Sequence, residues 1–412
     1  MSFRTKLVLL CIATGMAMSQ VTSAEMSSLE QSSVVTLSSL TQKVYELEPA
    51  RHSELAQQLQ INANSALANA TFADVKSISL NHQNDVIGSG GGLQEWESIV
   101  EMPLWLPGQK QQQQSLSDKL SAELPVYKQQ VMLTASAKVR ELIWNIVLAN
   151  TDTKQAYQIW QSAQKLEQDV VARVKAGELA GTEGLLANTN ALEMQNQYLL
   201  KKSELDFALS TYFVFTKERL LPERYEEILS DNYVIDQRHP SLMMLDQHIN
   251  TLRAKQGLAQ FDGAVNPSLS VGVRRERGGH GENFTNSMGL GISFALDNEV
   301  YRRPAIANAA KELADAEIIR QQLERELTIT LFSHLHDLET KRLQLGLLNE
   351  QNETTQQYLA LQQRAFELGE LDLVSLLRSQ SLANEVYNRK LALEVDIKHN
   401  IALINQALGI IL

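Results

Sequence analysis

The stretch PSLSVGVRRERGGHGENFTNSMGLGISF, from Pro267 to Phe294, decides how the chain must be read. In its first part Leu269, Val271 and Val273 fall on one face, and Ser268, Ser270, Gly272 and Arg274 on the other. In its last part Met288, Leu290, Ile292 and Phe294 oppose Gly289, Gly291 and Ser293. Period-two alternation predicts two strands, and the polar, Gly-rich RERGGHGEN between them predicts a hairpin loop. A second pair precedes it. Ile78 and Leu80 alternate with Ser77, Ser79 and Asn81, and NDVIGSGGG makes the loop. The return strand then sets Trp96, Val100, Met102 and Leu104 against Glu95, Glu97, Ile99 and Glu101.

Everything around these four segments reads as helix. Ile306, Ala309, Leu313, Ala316, Ile319, Leu323, Leu327 and Leu331 form one apolar stripe at three- and four-residue steps, and Leu393, Ile397, Ile401, Ile404 and Leu408 form another. Such stripes bury one face of a helix while the Gln- and Glu-rich face stays wet. Only 8 prolines in 412 residues agree with long helices. The two halves of the chain also repeat. Ile78 lies 29 residues beyond Pro49 and Leu269 lies 29 beyond Pro240, while VKAGEL at Val174 to Leu179 matches FELGEL at Phe366 to Leu371. Duplication of a unit of about 190 residues explains the constant offset. Three segments are therefore expected: an export signal over 1–24, a first repeat over 25–225 and a second over 226–412. The four strands are expected near 74–82, 95–105, 267–275 and 286–296.

The signal is read from Arg4 and Lys6 ahead of the apolar run Leu7 to Met18, with cleavage after Ala24. Cys11, the only cysteine, lies inside it and is preceded by Leu9 and Leu10, so the exported chain is expected to carry neither lipid nor disulfide. A net charge of -11 argues against nucleic acid, which demands a basic surface. Catalytic motifs are missing from the sequence. There is no H-E-x-x-H, G-x-S-x-G or Walker loop, GSGGG at Gly88 to Gly92 continues into Leu93, and His334 and His336 project about 200° apart on a helix. No catalytic, cofactor or resident metal site is expected.

Four strands among so much helix make a poor sandwich. In an outer membrane their apolar face would meet lipid and their polar face water, and a sheet with two edges would have to close with copies of itself. Two or three chains satisfy that requirement equally.

The paired halves, the strand exit PLWLPGQK at Pro103 to Lys110, the segment GELDLVSLLRSQ at Gly369 to Gln380 and the array from Leu382 to Gly409 resemble the TolC-like outer-membrane efflux family, nearest its heavy-metal branch. Ala295 stands where the first repeat has Pro103, a departure from relatives with Pro in both. The resemblance implies a mainly helical fold with a small β part. Duplicated antiparallel helices would form a periplasmic tunnel, and four strands per chain would join a trimeric 12-stranded β-barrel. It implies a homotrimer in the outer membrane of a Gram-negative bacterium, in contact with outer-membrane lipid. Its partners would be a periplasmic adaptor and an inner-membrane pump of the RND type, and its cargo heavy-metal cations. A drug or protein-secretion duct of the same fold, or a soluble periplasmic coiled-coil scaffold, are the alternatives.

By the same resemblance, Gly177, Glu178 and Leu179, with Gly369, Glu370 and Leu371, form the hairpin tips that meet the adaptor. Many relatives carry an acidic gate on the second tip; here the comparable positions are Ser375 and Arg378, with Asp372 the nearest carboxylate and a helix N-cap its alternative role. The strand alternation itself places Glu97 and Glu101 toward a barrel lumen, with Arg274 partly offsetting them.

Overall fold

A computed structural model describes residues 31–296 and 299–412. The expected export signal, Cys11 and the cleavage site after Ala24 lie outside the described residues. Two-residue β1 (Gln31–Ser32) is followed by α1 (Leu37–Leu47), a 3-10 turn (Pro49–Arg51) and α2 (His52–Ala68). Next come β2 (Ser77–Asn84) and β3 (Gln94–Pro103), then α3 (Gln109–Ala176) and α4 (Gly181–Thr216). After β4 (Leu221–Pro222) the order recurs: α5 (Pro240–Ala259), β5 (Ser268–Arg277), β6 (Thr285–Ser293), α6 (Glu299–Glu367) and α7 (Leu373–Ala407).

Helices α3 and α6 have 68 and 69 residues, so each reaches about 100 Å at 1.5 Å per residue. Partners α4 and α7 have 36 and 35 residues and pair only with the half of each long helix that is remote from the sheet. The other half of α3 is flanked by α2 and α5, and α5 also packs on α6. None of the described helices is long and apolar enough to cross a membrane.

The ends are set by local chemistry. Thr36 and Ser39 form a reciprocal capping box that starts α1, each side chain accepting from the other's backbone N–H. Pro240 occupies the first turn of α5, where its missing N–H costs nothing, and His239 caps it by accepting from the Ser241 N–H.

The largest apolar core sits where α1, α3, α4 and β4 meet, built from Leu40, Val44, Val139, Leu142, Ile146, Leu209, Tyr212 and Leu221. Beside it Arg140, 2% exposed, pairs with Glu227 at 2.8 Å. The same guanidinium donates to Gln406 and to the Ile410 carbonyl, which ties α3 to the connector before α5 and to the C-terminal residues. Smaller clusters hold α6 to α7 through Leu331, Leu338, Ile404 and Ala407.

The helical stripes are largely half-buried. Ile319, expected inside its stripe, is exposed: two successive three-residue steps, Leu313 to Ala316 to Ile319, turn it about 120° around the helix from Leu313, and the four-residue steps that follow bring Leu331 back to the buried face. The strands also differ at their limits from the sequence expectation. The β3 ladder ends at Pro103, although Leu104 still donates its N–H to the Pro267 carbonyl at 2.6 Å, one step further in the same register, and β6 ends at Ser293 with its last partner, Ser268.

Candidate functional site: the sheet and the helical tips

The four long strands form one antiparallel sheet in the order β2-β3-β5-β6. Its register decides which residues share a face. Ile78 pairs with Val100, Val100 with Val271 and Val271 with Leu290, so one continuous apolar row crosses all four strands. Met102, Leu269 and Ile292 make a second row on the same face. This face is not covered by protein: Ile78 is 68%, Leu80 78% and Leu290 73% exposed. Strands β2 and β6 each present an unpaired edge. An exposed apolar face with open edges is unstable in water and invites either lipid or further strands.

The opposite face is polar and acidic. Asn81 pairs with Glu97 and Glu97 with Arg274, while Ser77 pairs with Glu101 and Glu101 with Ser270. Small residues let the backbones come close. A Cβ on Gly272 would sit 3.2 Å from the Ile99 side chain, so the single large apolar residue on this face lies over a glycine.

Although Arg274 sits opposite Glu97 in register, its guanidinium turns along the strand to Glu95 at 2.7 Å and to Glu276 at 2.7 Å. Among the described residues Glu97 and Glu101 make no ion pair. The face thus presents four carboxylates against one guanidinium. The sequence reading placed Glu97, Glu101 and Arg274 on a common face, as the register does, but missed Glu95 and Glu276 as the actual partners of Arg274. The i, i+2 spacing of Arg274 and Glu276 was the available signal.

At the loop end the two hairpins touch. The His280 N–H donates to the Gly91 carbonyl at 2.9 Å, and a Cβ on Gly92, whose φ is 94°, would collide with His280 at 2.6 Å. The other end of the sheet leads into the long helices, so the loops and the helical tips lie at opposite extremes of the chain.

At those tips the expected glycines do what their type allows. Gly177 and Gly369 adopt φ of 82° and 77°, a left-handed conformation that carries no Cβ clash in glycine. The closing bonds are the same at both: Glu178 N–H to Arg173 O and Gly177 N–H to Val174 O, then Glu370 N–H to Ala365 O and Gly369 N–H to Phe366 O. This is the paired Schellman pattern that terminates a helix and satisfies its last carbonyls.

Leu179 and Leu371 are half-buried and turn into a shared core of Val170, Ala187, Phe366, Leu373 and Leu376, which joins the two hairpins. Arg173 locks them further: its guanidinium lies 5.0 Å from the Phe366 ring centre, donates to the Phe366 carbonyl at 3.3 Å and meets Glu178 at 3.3 Å. Arg173 and Phe366 escaped the sequence reading, though each stands in the last turn before a glycine break. Glu370 stays exposed.

Asp372, Ser375 and Arg378 come together on the first turns of α7. Asp372 is its N-cap, accepting from the Ser375 N–H at 3.1 Å. Hydrogen bonding from Ser375, side chain first and backbone second, holds this carboxyl below its usual range, and the charge of Arg378 adds in the same direction. Asp372 and Arg378 are exposed and Ser375 is half-buried. Among the described residues no His, Cys, Asp and Glu cluster with metal-ligand geometry occurs.

Comparison with known proteins places this architecture. No family model matches the sequence, and no curated protein matches it either. Solved structures do. The outer membrane protein VceC of Vibrio cholerae superposes with a TM-score of 0.72 at 10% identity, covering 90% of this chain and 96% of that one. CusC gives 0.71 at 13% identity over 90% and 92%, and the CmeC outer membrane channel of Campylobacter jejuni 0.69 at 14% over 94% and 90%. The fold is therefore that of outer-membrane channel proteins: a helical tunnel carrying a share of a barrel. These structural neighbours are channels, not enzymes.

Proposed function

We propose that the chain is the outer-membrane subunit of a tripartite efflux system, a passive exit duct across periplasm and outer membrane. The observation that carries this reading is the four-stranded sheet, which has one exposed apolar face and two open edges. In hydrocarbon each unpaired N–H or C=O costs several kcal/mol, so β2 must pair with β6 of another copy. Three copies give twelve strands and put the acidic face around a lumen. The soluble scaffold reading leaves the apolar face in water and is set aside.

Two hairpins per chain then supply helices for a tunnel of about 100 Å. A periplasmic adaptor engages the tips, Gly177 to Leu179 and Gly369 to Leu371, and an inner-membrane pump of the RND type provides the energy. The duct itself binds no cofactor and catalyses no reaction. Asp372, Ser375 and Arg378 line the narrow end as its gate, with the Asp372 carboxylate fixed by its capping bonds.

Heavy-metal cations are the favoured cargo, because each chain gives the lumen four carboxylates against one guanidinium, and a ring of negative charge concentrates cations. Growth of a deletion strain on a panel of metals and drugs tests the cargo. Lost tolerance to metals alone supports it, while lost tolerance to drugs alone assigns the drug duct of the same fold. Localisation is tested separately: the chain should resist alkali extraction from the outer-membrane fraction and leave it only in detergent.

A further inference from the structure

The apolar face of the sheet does not stay apolar to its outer end. There the register puts Arg275 opposite Trp96 and Arg277 opposite Gln94, on the same face as Val273, Val271 and Leu269. The two guanidiniums lie 4.6 and 5.1 Å from the ring of Phe284, which sits between them. Neither makes an ion pair or donates a hydrogen bond among the described residues, and the Nε of Arg277 is buried without an acceptor. The contrast with Arg274 is direct, since that side chain, one residue away on the polar face, is held by two carboxylates.

Next to Arg275 the indole of Trp96 stacks on His82 with ring centres 3.9 Å apart. Below them lies a shallow groove of about 630 Å³ bordered by Leu80, Trp96, Val273, Arg275 and Met288. It exists because Ser98, a small residue in the middle of the apolar row, leaves its neighbours standing proud.

The groove is bordered by Arg275, and Arg277 follows beyond it across the shared Phe284 ring, an arrangement that fits an acyl chain along the groove and a phosphate at its head. Arginine binds phosphate by two parallel hydrogen bonds, and stacking on Phe284 and desolvation by Trp96 strengthen the contact. Arginines facing lipid are costly at mid-membrane, but become favourable where headgroup anions are in reach. We propose that Arg275 and Arg277, with Trp96, His82 and Phe284, form a binding site for the phosphate-bearing headgroup of a membrane lipid. One lipid per chain would fasten the rim of the barrel. The proposal rests on the outer-membrane reading above.

The test is the amount of phosphate-bearing lipid, glycolipid and phospholipid counted separately by mass, retained per chain by the full-length protein purified in mild detergent and read by native mass spectrometry. About one per chain is expected in the wild type, about tenfold less in the double variant R275Q/R277Q, and an intermediate amount in R275K/R277K, which keeps the charge but loses the paired hydrogen bonds. Equal retention in all three overturns the site. If the Gln variant fails to assemble, the Lys variant decides: assembly with several-fold less lipid than the wild type upholds the proposal, and assembly with the wild-type amount overturns it. Loss of the oligomer in both variants, with lipid still bound to the separated chains, assigns the patch to contact between copies and also overturns it. Conductance of the wild type in planar bilayers is read alongside. Its absence counts against the duct, whereas a normal channel with unaltered lipid content counts against this site alone.

Discussion

At the residue scale, the most consequential single side chain is Arg140. Removing it leaves the largely buried Glu227 carboxylate without a counter-charge, held only by the Asn405 amide at 3.1 Å, and frees the Ile410 carbonyl that Arg140 bonds at 3.1 Å. Breaking one partner of a buried pair costs about 3–5 kcal/mol. Arg140→Ala should lower the midpoint of thermal unfolding sharply; a shift of a degree or two would show that the pair is inessential. At the second tip, Asp372→Ala removes the N-cap of α7, worth about 1 kcal/mol. Faster amide exchange confined to the first turn of α7 is expected, and Asp372→Asn should restore protection.

Three histidines set a pH response. Burial holds His239, His334 and His399 below the ordinary imidazole value, so each prefers to stay neutral in the folded chain. The unfolded chain takes up protons first as pH falls below about 6.5, and stability should therefore decrease from that point until the depressed folded values are passed. Replacing His239 and His399 by Gln should flatten unfolding midpoints between pH 7 and pH 5. An undiminished slope in that window would assign it to other groups.

At the scale of elements, the sequence carried the strands and the breaks clearly. Period-two alternation gave the right face for Leu269, Val271 and Val273, and the glycine of each GEL motif marks a left-handed helix end. What alternation does not encode is how a charged side chain bends along its strand, so the grip of Arg274 on Glu95 and Glu276 was not legible, nor was Arg173 reaching across to Phe366. Both depend on which hairpin lies beside which. The sequence pattern also lost Ile319, which two successive three-residue steps carry off the buried face.

The tips offer an element-level prediction. Gly369→Val forces a β-branched residue into φ near 77°, at a cost of about 1–2 kcal/mol. It should loosen the end of α6 and reduce efflux while the oligomer still assembles. Unchanged efflux in an assembled variant would remove the tip from the account.

For the whole molecule, the chain couples two surfaces that a single copy cannot complete: a sheet with an exposed apolar face, and long helices whose stripes are only partly covered. The proposed closure with further copies would satisfy both at once. Fold and polarity of the faces were legible in the sequence, whereas the number of copies was not, because strand count alone accepts more than one closed barrel. In the proposed barrel, Glu97 and Glu101 would face the lumen, and among the described residues neither makes an ion pair. Glu97→Gln with Glu101→Gln should weaken the preference for cations, seen as a reversal potential closer to zero under a salt gradient, without changing assembly.

Single-channel recording of the purified full-length chain in a planar bilayer under a salt gradient tests the central claim most directly. The account predicts discrete conductance steps whose reversal potential favours cations. A bilayer that stays at bare-membrane conductance, with the protein shown to be inserted, would contradict it.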